Sequence, residues 1–528
     1  MKRARVTESK SGGSAAQDSL VAAMMRPAFY PRPADQVLHK ETHISHVFLI
    51  GDLVYKIKKA VRFSFLDYST LARRRYFLQE ELRLNRRLAP SVYLAVMPIS
   101  ADENGWRLGG WTEPAEYTLV MRRLPEKQML RFLLATKQVT KGMMEQLADH
   151  LANFHAKAEV FKDLSPEEYL TALQAQWRDS LADISPLMTA PGDRQAVEAI
   201  DSFGSEFLRK NRDLLMRRMS DGWIRDVHGD LHAEHICFAP EGIQIFDCIE
   251  FSAKLRRCDL ASEIAFLLMD TAIHSGESFV DGFVERYRER VGDAEMTVLL
   301  PYFQCYRALV RAKVHALRLR RWGDEAARYL RFAQRMTWEP FKPFLMLMCG
   351  LTGSGKSTLA RPMGERLGMC VINSDVVRKL IAAKPGRHPV RYREGIYNPA
   401  MTEKTYAHMA RQAEEQIRQG RGAILDATFA RRAHREKFAA LARKFRIPLI
   451  VVHCSASDAT SEKRLHLRAA QGTDVSDGRW EIYVAQKAAY EPLEEVPRSD
   501  RLDLGTEAPV DQLIVVAETF LRARLAGG

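Results

Sequence analysis

Gly350-Leu351-Thr352-Gly353-Ser354-Gly355-Lys356-Ser357 fills every fixed position of G-x-x-x-x-G-K-[ST], the Walker A pattern. The apolar run Phe344-Leu345-Met346-Leu347-Met348-Cys349 leads into it and reads as a buried strand, and Thr358-Leu359-Ala360-Arg361 opens a helix. Strand, glycine loop and helix are the setting the motif needs. Glycines let main-chain N–H groups turn inward around phosphate oxygens, and the helix N-terminus adds the positive end of its dipole. Residues 350–358 are therefore the candidate ATP cradle. Lys356 would reach the β- and γ-phosphates, and the Ser357 hydroxyl would hold Mg²⁺. A chance glycine turn would have no reason to carry both flanks.

Beyond the cradle, strands alternate with helices. Met369–Asn373, Gly422–Asp426, Pro448–Val452 and a short stretch at 501–504 read as strands. Helices are expected at 401–419, 431–445, 457–469, 479–490 and 510–525, with a polar loop at 470–478. Such alternation predicts an α/β domain with a parallel sheet covered on both faces, its ligand at the carboxyl ends of the strands. Asp375 sits at such an end, where a carboxylate can take the proton of a hydroxyl attacking the γ-phosphate. Capping the next helix is its other reading. Arg378, one turn on, is placed to grip an anion on the acceptor. Asp426 ends another strand and is a candidate for ordering Mg²⁺. Arg464 and Arg468, four apart on one helix face, are candidate lid arginines over the γ-phosphate.

A chain of 528 residues predicts two or three domains, and its 46% apolar and 27% charged content is that of a globular protein. The seven cysteines show neither C-x-x-C pairs nor zinc spacing, so reduced thiols and a cytoplasmic location are expected. No apolar stretch approaches a membrane span, and no stable protein partner is expected. The net charge is +13 and the isoelectric point near 9.3. No basic block is interleaved with stacking aromatics, so dispersed arginine and phosphate sites explain this charge better than a nucleic-acid face.

Towards the N-terminus, residues 1–25 read as a disordered tail. His46–Ile50 and Leu53–Lys58 flank Gly51-Asp52 as a hairpin, with Val54, Lys56 and Lys58 on one face. A helix is expected over 69–89 with Glu80 and Glu81 in its middle, and a strand over Tyr117–Met121. Later comes Val227-His228-Gly229-Asp230-Leu231-His232-Ala233-Glu234-His235, then a strand ending in Phe246-Asp247. Two aspartates so placed suit phosphoryl transfer, one accepting the hydroxyl proton and one holding Mg²⁺. The spacings of His43, His46, His150, His155 and His232 match no standard metal site, so these read as structural. Pro340 and Pro343 punctuate the chain, giving domains at 26–338 and 339–528.

His228-Gly229-Asp230-Leu231-His232 with Phe246-Asp247 resembles the aminoglycoside phosphotransferase family, over roughly 36–325. The resemblance implies an α+β protein-kinase-like fold. It also implies Asp230 as the catalytic aspartate, Asp247 as a metal ligand, Lys56 pairing with ATP phosphates, and Glu81 holding Lys56. Val120 and Met121 fall at the hinge that faces adenine. Where that family carries a second metal-binding Asn, this sequence has His235. Imidazole suits hard Mg²⁺ poorly, so this lobe uses one metal well, prefers another ion, or transfers slowly. No Gly-rich phosphate lid is present near the hairpin.

The second half is similar to P-loop kinases of the group with polynucleotide 5′-hydroxyl kinases, zeta toxins and chloramphenicol phosphotransferases, through Asp375-x-x-Arg378 and Arg464-x-x-x-Arg468. Together the two resemblances imply a bifunctional ATP- and Mg²⁺-dependent phosphotransferase acting on a hydroxyl of a small molecule or a nucleic-acid end. Two alternatives stand beside it. One is a single active C-terminal kinase whose N-terminal lobe selects the acceptor; the other is a nucleotide-driven switch.

Overall fold

A computed structural model of the chain describes residues 13–31, 35–63, 66–103, 105–110, 113–188, 191–275, 280–319, 321–382, 395–471 and 479–526. Two units emerge: Met1–Leu187 with Asp201–Phe332, and Met188–Ile200 with Ala333–Gly528.

In the first unit the period-2 hairpin sequence forms strands β2 (Ser45–Ile50) and β3 (Leu53–Lys58), and Gly51 takes the positive φ of 54° the turn requires. Preceded by β1 (Leu38–Glu41), they join β4 (Tyr93–Asp102), β5 (Gly105–Leu108) and β6 (Pro114–Arg122) in an antiparallel sheet of order β1-β2-β3-β6-β4-β5. Phe48, Tyr55 and Ile57 point into one core, which leaves Val54 and Lys56 facing a cleft. Helix Leu71–Asn85, capped by the Thr70 side chain, carries Glu81. Beyond β6 the unit is mainly helical, with Lys141–Lys157 packed on Val280–Val291 and Leu260–Ser275 on Met296–Leu319. Four short strands, β7 (Ile224–Asp226), β8 (Ile236–Ala239), β9 (Gly242–Ile245) and β10 (Arg257–Asp259), frame the segment holding Asp230 and Asp247.

The disordered tail is corrected in part. Residues 1–12 lie outside the described residues, but Gly13–Met24 is a helix. Leu20 and Met24, one turn apart, are buried among Phe48, Tyr55 and Ile57. The small and charged residues around them hid a two-residue apolar stripe. Gln17 also donates to the Lys58 carbonyl at 2.8 Å, which ties the helix to β3.

The second unit follows the alternation. Strands β11 (Leu345–Cys349), β12 (Cys370–Asn373), β13 (Ala423–Asp426), β14 (Leu449–Ser455) and β15 (Arg501–Gly505) form a parallel sheet of order β12-β13-β11-β14-β15. The Walker A strand is central and fully buried because helices cover both faces. Helices Lys356–Leu367, Ser374–Ile381, Pro399–Arg418, Arg432–Phe445, Asp458–Gln471, Trp480–Ala488 and Val510–Ala526 supply that cover. The expected polar loop falls largely on 472–478, outside the described residues. Among the described residues no helix is long and apolar enough to cross a membrane.

Candidate active sites

At the C-terminal edge of the parallel sheet, the Walker A loop turns between β11 and helix Lys356–Leu367. Gly350 has φ 136°, and a Cβ there would come within 2.2 Å of the Cys454 carbonyl oxygen. No side chain fits where the loop crosses β14. Gly355, at φ 83°, caps the helix in the left-handed region, and the helix's first turn lines the cavity through Lys356 and Ser357. Thr352, Gly353, Gly355, Lys356 and Ser357 line this cavity, whereas Leu351 and Ser354 line a separate one beside His453 and Tyr490. Thr358 is exposed on the first turn. The Lys356 ammonium is folded back onto the Leu351 carbonyl at 2.7 Å, and burial pushes its pKa down.

Asp375, Arg378, Asp426 and Arg468 line the same cavity. Asn373 Oδ1 accepts the N–H groups of Asp375 (2.9 Å) and Val376 (3.1 Å), so Asn373 is the N-cap. The capping reading of Asp375 is thereby corrected, and its carboxylate pairs with Arg378 Nη1 at 2.6 Å. Arg378 lies over the Tyr397 ring, 4.6 Å from its centre, and its Nε is buried without a hydrogen-bond partner among the described residues. Asp426 is buried and accepts Asn373 Nδ2 at 2.7 Å on one oxygen. The Ser357 hydroxyl and the Asp426 carboxylate are hard oxygen donors on one cavity, a set that fits Mg²⁺.

Arg464 differs from the lid expectation. Its guanidinium bonds the Thr506 carbonyl at 2.6 Å and the Thr506 hydroxyl at 3.0 Å, and reaches the Gly353 carbonyl at 3.5 Å. Thr506 in turn donates to the Ser354 carbonyl at 2.8 Å. Arg464 braces the loop from behind, and only Arg468 of the pair lines the cavity. Sequence reasoning missed Asn373, Tyr397, Tyr406 and His434. The last two rings stack 4.0 Å apart, and His434 meets Glu403 at 2.7 Å. An Asn ahead of a helical Asp was the one available signal.

The first unit builds its site from β3, helix Leu71–Asn85 and the 228–247 segment. Lys56 Nζ meets Glu81 at 2.7 Å and Asp247 Oδ1 at 3.0 Å. Burial would lower the Lys56 pKa, but Asp247 and Glu81 hold it well above its ordinary range. Lys58 forms a second layer, fully buried, at 2.8 Å from Glu81 and 2.5 Å from Glu250. Met121 lines the cleft, while Val120 turns into the core. Thr42 and Ile44, at the β1–β2 turn, edge the cleft.

Glu263, buried in helix Leu260–Ser275, accepts the N–H groups of His228 (2.9 Å) and Gly229 (3.2 Å) and so fixes the loop before Asp230. Burial pushes the Glu263 carboxyl up to about 7. Burial opposes ionisation of Asp230 too, yet His232 and His235 hold it well below the usual carboxylate range. His232, read from the sequence as structural, is buried with its Nε2 3.4 Å from Asp230 Oδ2. Asp247 sits at φ 63° and donates its N–H to Tyr93 Oη at 3.1 Å, which aims its carboxylate at Lys56 and His235. His235 Nε2 faces Asp247 Oδ2 at 3.5 Å, so an oxygen-preferring ion such as Mg²⁺ meets only half of a suitable donor pair.

Comparison with known proteins assigns a family to each half of the chain. Residues 46–302 match the family model described as Phosphotransferase enzyme family, and residues 345–493 match one described as AAA domain. "Uncharacterized protein Rv2004c" of Mycobacterium tuberculosis is 30% identical over 448 residues, covering 83% of this chain and 87% of the relative. Among solved structures, a choline/ethanolamine kinase family protein from Mesorhizobium loti aligns at 14% identity over 60% of this chain and 93% of its own, with a TM-score of 0.38. The APS kinase CysC of Mycobacterium tuberculosis aligns at 18% identity over 34% of this chain and 98% of its own, with a TM-score of 0.26. The chain belongs to one family with the mycobacterial relative and joins a kinase-like phosphotransferase domain to a P-loop kinase-like AAA domain.

Proposed function

We propose that the protein is a bifunctional ATP-dependent phosphotransferase, each unit moving a γ-phosphoryl group to a hydroxyl. One observation carries this reading: the Asp375 carboxylate, released from capping by Asn373, lines one cavity with Lys356, Ser357 and Asp426. In the second unit, ATP phosphates would take the inward N–H groups of the loop, and Lys356 would leave the Leu351 carbonyl for the β- and γ-phosphates. Mg²⁺, held by Ser357 and Asp426, supplies charge neutralisation when bound. Asp375 takes the acceptor's hydroxyl proton as that oxygen bonds to the γ-phosphorus. The bond from phosphorus to the bridging oxygen breaks, and ADP leaves.

The acceptor of this unit, in our reading, is a small polar hydroxyl compound bearing an anionic group. The Arg378 guanidinium, stacked on Tyr397 beside Asp375 with its Nε unpartnered among the described residues, supports a compact anion site rather than a track for a polynucleotide. In the first unit, Asp230 has the matching role of proton acceptor and Lys56 that of phosphate partner. The closed Lys56–Glu81 and Lys56–Asp247 contacts favour an active N-terminal lobe over one that only selects the acceptor. The test is a screen of sugar acids, aminoglycosides, nucleosides and 5′-hydroxyl oligonucleotides for acceptor-dependent ADP release. Stimulation by small hydroxy acids or sugars with weak salt dependence is expected. Turnover stimulated by no acceptor would favour the switch, and steeply salt-dependent stimulation by oligonucleotides would replace the small acceptor.

A further inference from the structure

We propose that the cation site of the first unit, between His235 and Asp247, selects a nitrogen-accepting divalent metal such as Mn²⁺, Co²⁺ or Zn²⁺ over Mg²⁺. His235 Nδ1 lies 2.9 Å from the Asp230 carbonyl oxygen. A carbonyl only accepts, so Nδ1 carries the proton and the neutral ring presents a lone pair at Nε2. That lone pair faces Asp247 Oδ2, another acceptor, at 3.5 Å. Two acceptors facing each other at this distance offer a place for a cation between them. Were His235 charged instead, a hydrogen bond to the carboxylate would close to about 2.7–2.9 Å. The observed gap is slightly wider than the one two ligands of a single ion keep, so a bound ion would draw the pair together by about 0.1 Å or more. Bonds of about 2.1 Å at tetrahedral to octahedral angles separate ligand atoms by roughly 3.0–3.4 Å.

The surroundings have the form of a ligand shell. The Asp230 carbonyl orients His235 and fixes its tautomer, as outer partners of metal-bound histidines do. Lys56 holds the other Asp247 oxygen at 3.0 Å, and Tyr93 orients Asp247 through its N–H at 3.1 Å. Asp230, His232 and His235 each offer a ligand atom, all within 4.8 Å of one another, a group that shares His235 with the pair but does not include Asp247. An imidazole ranks Mn²⁺ below Co²⁺ and Zn²⁺ and places all three ahead of Mg²⁺. The inference does not depend on which acceptor either unit uses.

Its test is metal binding by the full-length chain without nucleotide. Co²⁺ is titrated against visible absorption and then challenged with Mg²⁺, and bound Mn²⁺ is examined by pulsed electron spin resonance for coupling to ¹⁴N. The unaltered protein should show nitrogen coupling and Co²⁺ bands that excess Mg²⁺ does not remove. His235→Asn should weaken Co²⁺ binding roughly tenfold or more and abolish the ¹⁴N coupling. His235→Gln is the second variant should Asn prevent folding, which a thermal melt reports. Absence of ¹⁴N coupling in the unaltered chain, Co²⁺ affinity unchanged in a folded variant, or full displacement of Co²⁺ by comparable Mg²⁺ would each overturn the proposal.

Discussion

Asn373 Oδ1 receives the main-chain N–H of Asp375 at 2.9 Å, so the residue two positions before the candidate base does the capping and the Asp375 carboxylate lines the Walker A cavity. The two side chains therefore separate in their effects. Asp375→Asn should lower the kcat of the C-terminal reaction by about 10²- to 10⁴-fold and leave melting nearly unchanged. Asn373→Ala should cost about 1 kcal/mol of stability, with a smaller effect on kcat. Steady-state kinetics and calorimetry check both. A catalytically competent Asp375→Asn enzyme would return Asp375 to a structural role.

Arg464 is bound to Thr506 and the Gly353 carbonyl, which makes it a brace. Arg464→Ala is expected to lower the stability of the second unit by about 1–3 kcal/mol and to weaken nucleotide binding. Arg468→Ala should instead reduce kcat with little change in melting. Nucleotide titrations and melting curves separate these outcomes. An Arg464→Ala protein of ordinary stability and nucleotide affinity but low kcat would restore the lid.

Lys58 is fully buried between Glu81 and Glu250, with Tyr68 Oη also on Glu250 at 2.6 Å. Removing the cation leaves two buried carboxylates facing each other. Lys58→Met should destabilise the first unit by about 3–5 kcal/mol, measured by denaturant unfolding. Lys56→Met should cost less stability, because its partner Asp247 is 44% exposed and its buried partner Glu81 keeps Lys58, and should abolish N-terminal turnover. A stable Lys58→Met protein would contradict the layered reading.

The Glu263 carboxyl, raised by burial to about 7, gives the first unit a pH dependence. Between its ordinary value of 4.5 and 7, the unfolded chain has lost this proton while the folded chain keeps it. Stability from this group is therefore present at low pH and falls as pH rises through that window, by about 3 kcal/mol in total. Glu263→Gln should remove this slope, so the stability difference between wild type and variant should shrink or reverse from pH 4.5 to 7. Parallel pH profiles would contradict it.

Much of this was legible in the sequence, because the signals were local. The Walker A loop, the strand–helix alternation and the 228–247 segment each carry their chemistry within a few consecutive residues. What was not legible depended on distance in sequence. Arg464 gave no sign of Thr506, 42 positions away. Helix Gly13–Met24 was hidden for a different reason. Among the described residues, Leu20 and Met24 with the half-buried Val21 mark its buried face, too few for periodicity to register. Lys58 read as one more residue on the Lys56 face until Glu250, 192 positions on, supplied its partner.

The central claim is that two independent sites transfer phosphate. The most direct measurement follows label from γ-³²P-ATP into acceptor using wild type, Lys356→Ala, Asp230→Asn and the double variant, with both acceptor classes from the screen. The account predicts that Lys356→Ala abolishes labelling of one acceptor, Asp230→Asn abolishes labelling of the other, and the double variant labels neither. Loss of all labelling in Lys356→Ala alone, or none lost in Asp230→Asn, would contradict it.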